Sequence, residues 1–449
     1  AIYGRRSDWQ DLYSIAKKYY EALLADPGNA QFHLTDPRGA SDKSGRTFNN
    51  PYQYFFEQMH MDDAIYADES IYEYPMQQGG GNDGRPYSFG RPSSGGSKAA
   101  YPCKSYGQGR INPAYFYGVF DPNDMRRDVS ITMTGSNGKG VEKLIPFVPN
   151  SKAEGGGLTL NKWDENRQAN PWVAAQRKSG INGPYMRMSE VYLGYAEVCA
   201  ALGDVVTGKQ YLKTVRERSF PQGLANTDAF IASFGNDLVR AIIEERGFEY
   251  AGEGDRRWTL IRSGYLPEDI KRIKDMTKAM MDGLATKGYY EFENGNIISA
   301  YIWTKLVDAK TIYGHRLTAQ CPTDKVNDPV LYPGWRGQKD NWEEMGLNYG
   351  SSTPATNLAI KGLFEIVSEE EAASLESQGY AKVNWGIDLV DYRDEYDKYL
   401  FWDYDYVSAP IYLWPFTPNV MAAGGFTNGY GFKPVSYTHL RAHETGAYL

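Results

Sequence analysis

Residues 185–264 carry the strongest pattern in the chain, because their apolar positions recur with the three-then-four spacing of α-helices. A turn at Gly203 separates the first helical pattern from a second one, which starts with the capping-box form of Thr207–Gln210. The apolar face of the first pattern consists of Tyr185, Met188, Val191, Tyr192, Tyr195, Val198, Cys199 and Leu202. Two helices joined by such a short turn form an antiparallel hairpin, so this stretch predicts the unit of a helical solenoid.

A third helical pattern, roughly residues 236–250, directs two carboxylates toward its apolar side. Helical steps from Ile242 lead to Glu245 and Glu249. A buried charge without a partner is costly, so we expect each carboxylate to pair with a cation. The nearest cations in sequence are Arg216, Arg218, Arg246, Arg256, Arg257 and Arg262. The interpretation is a structural ion-pair network of Glu245, Glu249, Arg246 and Arg256, and the alternative is a catalytic role for the acids.

Periodicity predicts further elements on both sides of this stretch. Asn294-Gly295 lies between two apolar runs and indicates a β-hairpin. Residues 135–140 lack the spacing of a phosphate loop and are typical of a turn between two strands. The additional predicted elements are a helix over residues 9–24, a helix over 266–284, a helix or strand near 52–65, and two or three short helices between 368 and 402.

Residues 77–117 have no regular period and are rich in aromatic rings. A loop of this length is either functional or disordered, and its aromatic content argues against disorder. Rings stack on the C–H faces of sugars, and planar polar side chains bridge neighbouring hydroxyl groups. The glycan-binding candidates in and beside this loop are Tyr74, Asn82, Asp83, Arg85, Tyr87, Phe89, Tyr101 and Tyr106. Packing of the loop on its own scaffold or on a partner protein is the alternative.

Two tryptophans complete the candidate set. Trp163 lies in an irregular, Asn-rich stretch, and Trp335 lies in Pro-Gly-Trp-Arg-Gly within the loop-like residues 310–360. An exposed tryptophan on a turn marks an interaction surface, whereas burial beneath the loop is the alternative.

The amino-acid composition limits which kinds of molecule the protein is expected to bind. The net charge of −8 argues against nucleic acid and against an anionic membrane surface. The 36 tyrosines and 10 tryptophans favour a ligand with apolar faces and hydroxyl groups. The 3 cysteines have no metal or redox spacing, so neither a metal nor a cofactor is expected. No run of 18 apolar residues is present that would predict a membrane-spanning helix.

Three linked motifs resemble the signature of the SusD/RagB family of outer-membrane glycan-binding lipoproteins. They are Tyr185-Met-Arg-Met-Ser-Glu-Val-Tyr-Leu-Gly-Tyr-Ala-Glu197, Val215-Arg-Glu-Arg218 and the Glu/Arg-rich residues 242–262. Asp121-Pro-x-Asp124-x-Arg126 is similar to the Asp-Pro-Arg element of that family. Tyr412-Leu-Trp-Pro-Phe and Asn428-Gly-Tyr are similar to its closing elements, with Phe416-Thr417 in place of Ile-Pro.

The resemblance implies a mainly α-helical, tetratricopeptide-like helical-repeat scaffold with long loops and a small β-hairpin, over residues 1–434. It also implies a cell-surface lipoprotein that passes glycan to a TonB-dependent outer-membrane transporter of the SusC-like class. Family members begin with a signal peptide and a lipid-acceptor cysteine, so we expect the native start and its lipid anchor to be absent from this chain. Residues 435–449 have no periodicity and resemble translated adapter sequence, so we predict a non-native tail.

Rival functions remain open at this point. A glycoside hydrolase needs two carboxylates about 5 to 10 Å apart, and the acidic residues of the chain are numerous enough to supply such a pair. The clustered acids are the ones that the helix pattern assigns to the scaffold, and no metalloprotease or nucleophile-elbow motif occurs. A peptide-binding protein, a transporter lid without glycan binding, or a structural adaptor also fits a helical-repeat scaffold.

Overall fold

In the computed structural model of the protein, the described residues are 6–28, 32–36, 50–58, 69–78, 89–92, 105–136, 142–148, 156–163, 179–308, 356–400 and 423–424. The α-helices are α1 (Trp9–Ala25), α2 (Pro51–Gln58), α3 (Arg126–Ser130), α4 (Met188–Ala201), α5 (Val205–Arg218), α6 (Thr227–Ala232), α7 (Leu238–Glu249), α8 (Arg256–Ser263), α9 (Leu266–Lys287), α10 (Glu369–Ser377), α11 (Gly386–Asp391) and α12 (Arg393–Leu400). The strands are β1 (Ser70–Tyr74), β2 (Ile131–Thr132), β3 (Thr134–Ser136), β4 (Glu142–Leu144), β5 (Thr159–Leu160), β6 (Gly183–Arg187), β7 (Tyr289–Glu291), β8 (Ile297–Ser299), β9 (Tyr301–Asp308), β10 (Thr356–Lys361) and β11 (Ala381–Asn384). A short π-helix covers Tyr115–Val119.

Helices α4 and α5 form the predicted hairpin at the centre of the helical layer. The two helices pack closely because α5 has a glycine, Gly208, at their contact. A Cβ atom at this position would lie only 2.9 Å from the Ala196 carbonyl oxygen of α4. Helix α1 packs on the other side of α4, where a Cβ at Gly194 would lie 2.4 Å from the Tyr20 hydroxyl. The mainly helical, hairpin-repeat architecture predicted from the sequence is therefore confirmed.

Two predicted helix starts are wrong. Helix α5 begins at Val205 rather than at the Thr207 capping box, because the Asp204 carboxylate accepts a hydrogen bond from the Thr207 backbone N–H at 3.3 Å. Helix α4 begins at Met188 rather than near Tyr185, because Gly183–Arg187 pairs with β1 as strand β6. Pairing with a segment more than 100 residues away overrides the local helical period.

Helix α7 lies in the interior, and 11 of its 12 residues are buried. Its apolar residues Ala241 and Ile242 join the core of the α4–α5 hairpin, and Ile243 packs instead against Leu260 and Leu266. Its polar residues also point into the protein, so every side of this helix needs a matched neighbour.

The strands form small antiparallel sheets, and a three-stranded sheet has the order β10-β9-β11. The predicted hairpin is formed by β7 and β8, with Gly295 at φ +85° in its turn. The apolar run after this turn then divides, because Tyr301–Asp308 forms the central strand of the three-stranded sheet. Residues 356–360, predicted as part of a loop, form most of strand β10.

The largest hydrophobic cluster among the described residues lies between these sheets and helix α9. Tyr117 and Trp385 are both fully buried there, and the Trp385 Nε1–H donates to the Tyr117 hydroxyl at 2.8 Å. Ile302 and Ile360 direct one face of the three-stranded sheet into this cluster. Alternation along the strands therefore places Tyr301 and Trp303 on the opposite face.

Candidate functional site

Strands β1 and β6 hold three exposed tyrosine side chains close to the described ends of the candidate loop. Tyr72, Tyr74 and Tyr185 are 55%, 57% and 74% exposed, and Met186 is 43% exposed. The ring centroids of Tyr72 and Tyr185 are 5.7 Å apart, with their planes at 84°. We call Tyr72, Tyr74, Tyr185 and Met186 the tyrosine face.

An irregular register explains why neighbouring residues both reach solvent. Ser70 pairs with Arg187 and Tyr72 pairs with Met186, whereas Tyr185 has no partner in the ladder. Such a bulge bends one strand and turns a side chain that would otherwise alternate inward. Tyr185 and Met186 are therefore exposed together, while the adjacent Arg187 is directed into the interior.

Arg187 fastens both strands to the scaffold beneath the tyrosine face. Its Nη1 atom donates to Glu69 Oε1 at 3.0 Å and also to the Glu249 carboxylate, and its Nη2 atom donates to Glu253 at 3.0 Å. Glu69 directly precedes β1, and Arg187 is the last residue of β6. One guanidinium group thus links the base of the ladder to the end of helix α7.

This contact belongs to a larger buried ion network. Equal numbers of cations and carboxylates take part, and we define the network by its described members Glu69, Asp124, Arg126, Lys162, Arg187, Arg216, Arg218, Glu245, Glu249 and Glu253. Arg126 lies 2.7 Å from Glu245 and 3.1 Å from Glu249. Arg218 lies 2.6 Å from Glu249. Balanced charge is what makes burial of so many ions tolerable.

Glu249 is the centre of the network. Burial of its carboxyl group opposes ionisation, but the guanidinium groups of Arg187, Arg218 and Arg126 outweigh burial and hold its pKa well below the usual range. The side chain is fully buried. Glu249 is therefore a permanently ionised structural anchor at neutral pH.

The predicted ion-pair residues divide between different contacts. Glu245 and Glu249 lie in the buried ion network, together with Arg216 and Arg218 from the preceding helix. Arg246 instead contacts Glu190 at 2.7 Å and Asp255 at 2.6 Å, and Arg256 contacts Glu244 at 2.7 Å and Asp269 at 3.0 Å. The predicted pairing of Arg246 and Arg256 with Glu245 and Glu249 is thus corrected, because these arginines lie beside other carboxylates.

The glycan-binding candidates have different positions. Tyr74 lies on the tyrosine face, and Phe89 and Tyr106 are half-buried. Trp163 is only 1% exposed and packs with Leu160 and Ile181, so its rings offer no stacking surface, and we correct its assignment to the core. The candidates Asn82, Asp83, Arg85, Tyr87, Tyr101 and Trp335 lie outside the described residues. Sequence reasoning missed Tyr72 and Tyr185 as exposed rings, although the alternation Tyr72-Glu73-Tyr74 was a signal for the former.

The described ends of the candidate loops meet at one end of the β1–β6 ladder. The Ser105 hydroxyl donates to the Gly90 carbonyl at 3.0 Å, and the Arg91 backbone N–H donates to the Trp163 carbonyl at 2.9 Å. A Cβ at Gly180 would lie 2.8 Å from the Cβ of Gln78. The described residues that flank segments 79–88, 93–104 and 164–178 therefore contact one another just beyond Tyr74.

Among the described residues, no group of three or more His, Cys, Asp or Glu side chains is arranged to hold a metal ion. No helix in that part of the chain is long and apolar enough to cross a membrane.

Lys162 gives the buried ion network a testable pH dependence. Burial, opposed by Glu253 at 2.7 Å, lowers the pKa of its ammonium group to about 8 from the ordinary 10.5. Above pH 8 the folded protein releases this proton while the unfolded chain keeps it up to pH 10.5, so stability from this group rises with pH in that window. Between pH 7 and pH 9.5 we expect the wild type to gain about 2 kcal/mol relative to Lys162→Met in urea unfolding.

The control for this pH prediction is the exposed Lys278, which pairs with Asp282 on the surface of α9. Lys278→Met should keep a constant stability difference from the wild type over the same pH range. A constant difference for Lys162→Met as well would contradict the lowered pKa.

The described residues thus form a helical-repeat scaffold that presents exposed tyrosines above a buried ion network. The protein therefore belongs to the class of helical-repeat proteins. Within that class, the chain belongs to the SusD family, whose model matches residues 31–416. The predicted family is therefore confirmed.

Individual relatives match shorter parts of the chain. The SusD-like protein P25 of Formosa agariphila is 28% identical over 160 residues, which are 35% of this chain and 26% of that protein. A crystal structure of a SusD homolog from Bacteroides thetaiotaomicron is 19% identical with a TM-score of 0.40, covering 59% of this chain and 50% of the other. The surface glycan-binding protein A of Bacteroides thetaiotaomicron, solved with laminarihexaose, is 19% identical with a TM-score of 0.38, covering 58% and 52%. The chain thus spans about a quarter of P25 and half of each solved relative.

Proposed function

We propose that this protein binds oligosaccharides or polysaccharides at the cell surface without cleaving them and delivers them to a TonB-dependent outer-membrane transporter. The tyrosine face is the observation that carries the proposal. Three exposed tyrosines on one ladder offer ring faces for stacking on sugar C–H groups and hydroxyls for hydrogen bonding. Membership of the SusD family supports the same function. A lipid anchor at the outer membrane is part of the proposal.

The chemistry of the clustered acids supports binding without catalysis. A glycosidase requires one carboxyl group with a raised pKa to act as general acid. Glu244 and Glu249 have the opposite property, because burial is outweighed by neighbouring arginines that lower the pKa of each carboxyl group. Both side chains are also at most 2% exposed, so a polysaccharide has no access to them.

Affinity at such a site should come from ring stacking and neutral hydrogen bonds, and it should depend little on salt. Tyr87 and Tyr101, which lie outside the described residues, remain candidates for ring stacking on the same glycan. Domain limits of 1–434 and a non-native tail at 435–449 remain predictions.

Calorimetric titration against a panel of plant, host and microbial polysaccharides tests the function, with released reducing ends measured in the same samples. We expect heat of binding without new reducing ends, and about a tenfold weaker affinity in Tyr87→Ala or Tyr101→Ala if each ring stacks on a sugar. Reducing ends that disappear when a single carboxylate is replaced would establish a glycoside hydrolase instead. If no polysaccharide of the panel gives a heat of binding, glycan binding is overturned, and a peptide-binding protein or a transporter lid is favoured.

A further inference from the structure

The outer face of the three-stranded sheet carries a row of two lysines and a tryptophan. Trp303 on the central strand β9 lies directly opposite Lys361 of β10 and Lys382 of β11. Directly paired residues share one face of a sheet, and neighbouring strands are about 4.8 Å apart, so the two lysine backbones are about 10 Å apart across the tryptophan. We call Lys361, Trp303 and Lys382 the lysine row.

The ammonium groups of Lys382 and Lys305 on this face lie against aromatic rings and a carbonyl group. The Lys382 Nζ atom is 4.2 Å from the centroid of the Tyr301 ring. Lys305, two residues after Trp303 on the same face, donates to the Gln378 carbonyl at 2.7 Å and lies 5.8 Å from the Tyr380 ring. Rings hold a cation in place without neutralising its charge.

Some surface lysines elsewhere in the described part of the chain are neutralised. On helix α9, Lys271 pairs with Asp275 and Lys278 pairs with Asp282. Within the described part of the chain, no carboxylate forms a salt bridge with Lys361 or Lys382, which are both exposed. In a chain with 56 acidic and 48 basic residues, the grouping of Lys305, Lys361 and Lys382 on one face of a sheet makes that face locally basic.

The tryptophan of the row supplies a second, independent observation. Trp303 is 6% exposed, and its Nε1–H has no hydrogen-bond acceptor among the described residues. A buried donor without an acceptor is unfavourable. The Lys382 Nζ atom lies 5.8 Å from the centroid of this indole, so movement of that flexible side chain would let an oxyanion bound to it reach the Nε1–H.

We propose that the lysine row binds the sulfate or carboxylate groups of an acidic glycan. This inference rests on the proposed function, because it names a charged class of glycan and a second place of contact on the same protein. Lysine ammonium groups bind oxyanions as point charges through charge-assisted hydrogen bonds. The site is distinct from the tyrosine face, since it lies on β9–β11 rather than on the β1–β6 ladder.

An anionic membrane surface fits this face less well. Each lysine adds only about fivefold to binding at such a surface, so Lys305, Lys361 and Lys382 together give on the order of a hundredfold. The net charge of −8 opposes that attraction over the whole molecule. A single oxyanion group of a glycan interacts locally with the row and avoids most of that repulsion.

Matched titrations with dextran sulfate and uncharged dextran test the inference, using the full chain. We expect the wild type to prefer dextran sulfate, and the double variant Lys361→Gln/Lys382→Gln to lose about tenfold in affinity for it. The double variant Lys271→Gln/Lys278→Gln removes the same charge from α9 and should change affinity by less than about twofold. Trp303→Phe should weaken binding several-fold without altering the charge.

Several results would overturn the inference. An equal loss of affinity in the α9 control would indicate only a general effect of charge. Full affinity in the lysine-row variant would show that the row does not bind the sulfate groups. Binding to anionic phospholipid vesicles that depends on the row, without binding to dextran sulfate, would indicate a membrane contact instead. If dextran sulfate fails while an uncharged panel glycan binds at the tyrosine face, the inference falls and the proposed function stands. A chain that binds neither contradicts both.

Discussion

Replacing Glu249 with glutamine is expected to lower the free energy of unfolding by about 3–5 kcal/mol. The carboxylate accepts hydrogen bonds from Arg187, Arg218 and Arg126 in a fully buried setting. An uncharged amide of nearly the same size leaves these guanidinium groups with an excess of positive charge, and one of its ends turns N–H donors toward them. Urea unfolding followed by tyrosine and tryptophan fluorescence measures the loss.

The control for this variant is Glu370→Gln in the exposed first turn of helix α10, which should change stability by less than about 0.5 kcal/mol. The pH dependence provides an independent check. Because the pKa of Glu249 is held below its unfolded value of 4.5, its contribution is present above that pH and is lost as the pH falls further. The difference between wild type and Glu249→Gln should therefore shrink in acid. A loss below about 1 kcal/mol at pH 7 would contradict the central role of Glu249.

The burial of these carboxylates was predictable because it depends on a local rule. Helical steps from Ile242 fix the direction of Glu245 and Glu249 whatever the rest of the chain does. Both side chains are indeed fully buried. The requirement for cationic partners followed from the cost of a buried charge, and Arg216 and Arg218 were within reach on the preceding helix.

The identity of the remaining partners was not predictable from local pattern. Arg126 and Arg187 lie about 120 and 60 residues from Glu249 and contact it only when the fold is complete, and Glu69, still farther away in sequence, joins the network through Arg187. No periodicity encodes such contacts. Arg246 and Arg256 looked like the natural partners because they are near in sequence, yet on a helix proximity in sequence does not place side chains on the same side.

The tyrosine face shows the same limit for the candidate site. Tyr185 fits the apolar face of a helix as well as it fits a strand, and only pairing with β1 decides between them. The bulge that exposes Tyr185 and Met186 together depends on that pairing as well. Composition indicated that aromatic rings would form the binding surface, whereas the choice of Tyr72 and Tyr185, and the exclusion of Trp163, required the structure.

Removing the rings of Tyr72 and Tyr185 together is expected to weaken binding of the best panel glycan between about tenfold and a hundredfold. Each tyrosine is more than half exposed and contributes a stacking surface and a hydroxyl group. Each single change to alanine should cost about tenfold, since that is the usual effect of a central tyrosine in a binding site. The ring centroids are 5.7 Å apart, so we expect the double variant to lose less than the product of the two single losses.

Tyr19 provides a matched control, because it is 75% exposed, almost the same as Tyr185 at 74%, but lies on helix α1. Tyr19→Ala should leave glycan affinity unchanged, and all variants should unfold at the same urea concentration as the wild type, because none of these rings is buried. Equal losses in Tyr19→Ala and Tyr185→Ala would show that surface tyrosines act nonspecifically. Full affinity in the double variant, with a loss in Tyr87→Ala or Tyr101→Ala, would place the site on the loops and leave the β1–β6 ladder as their support.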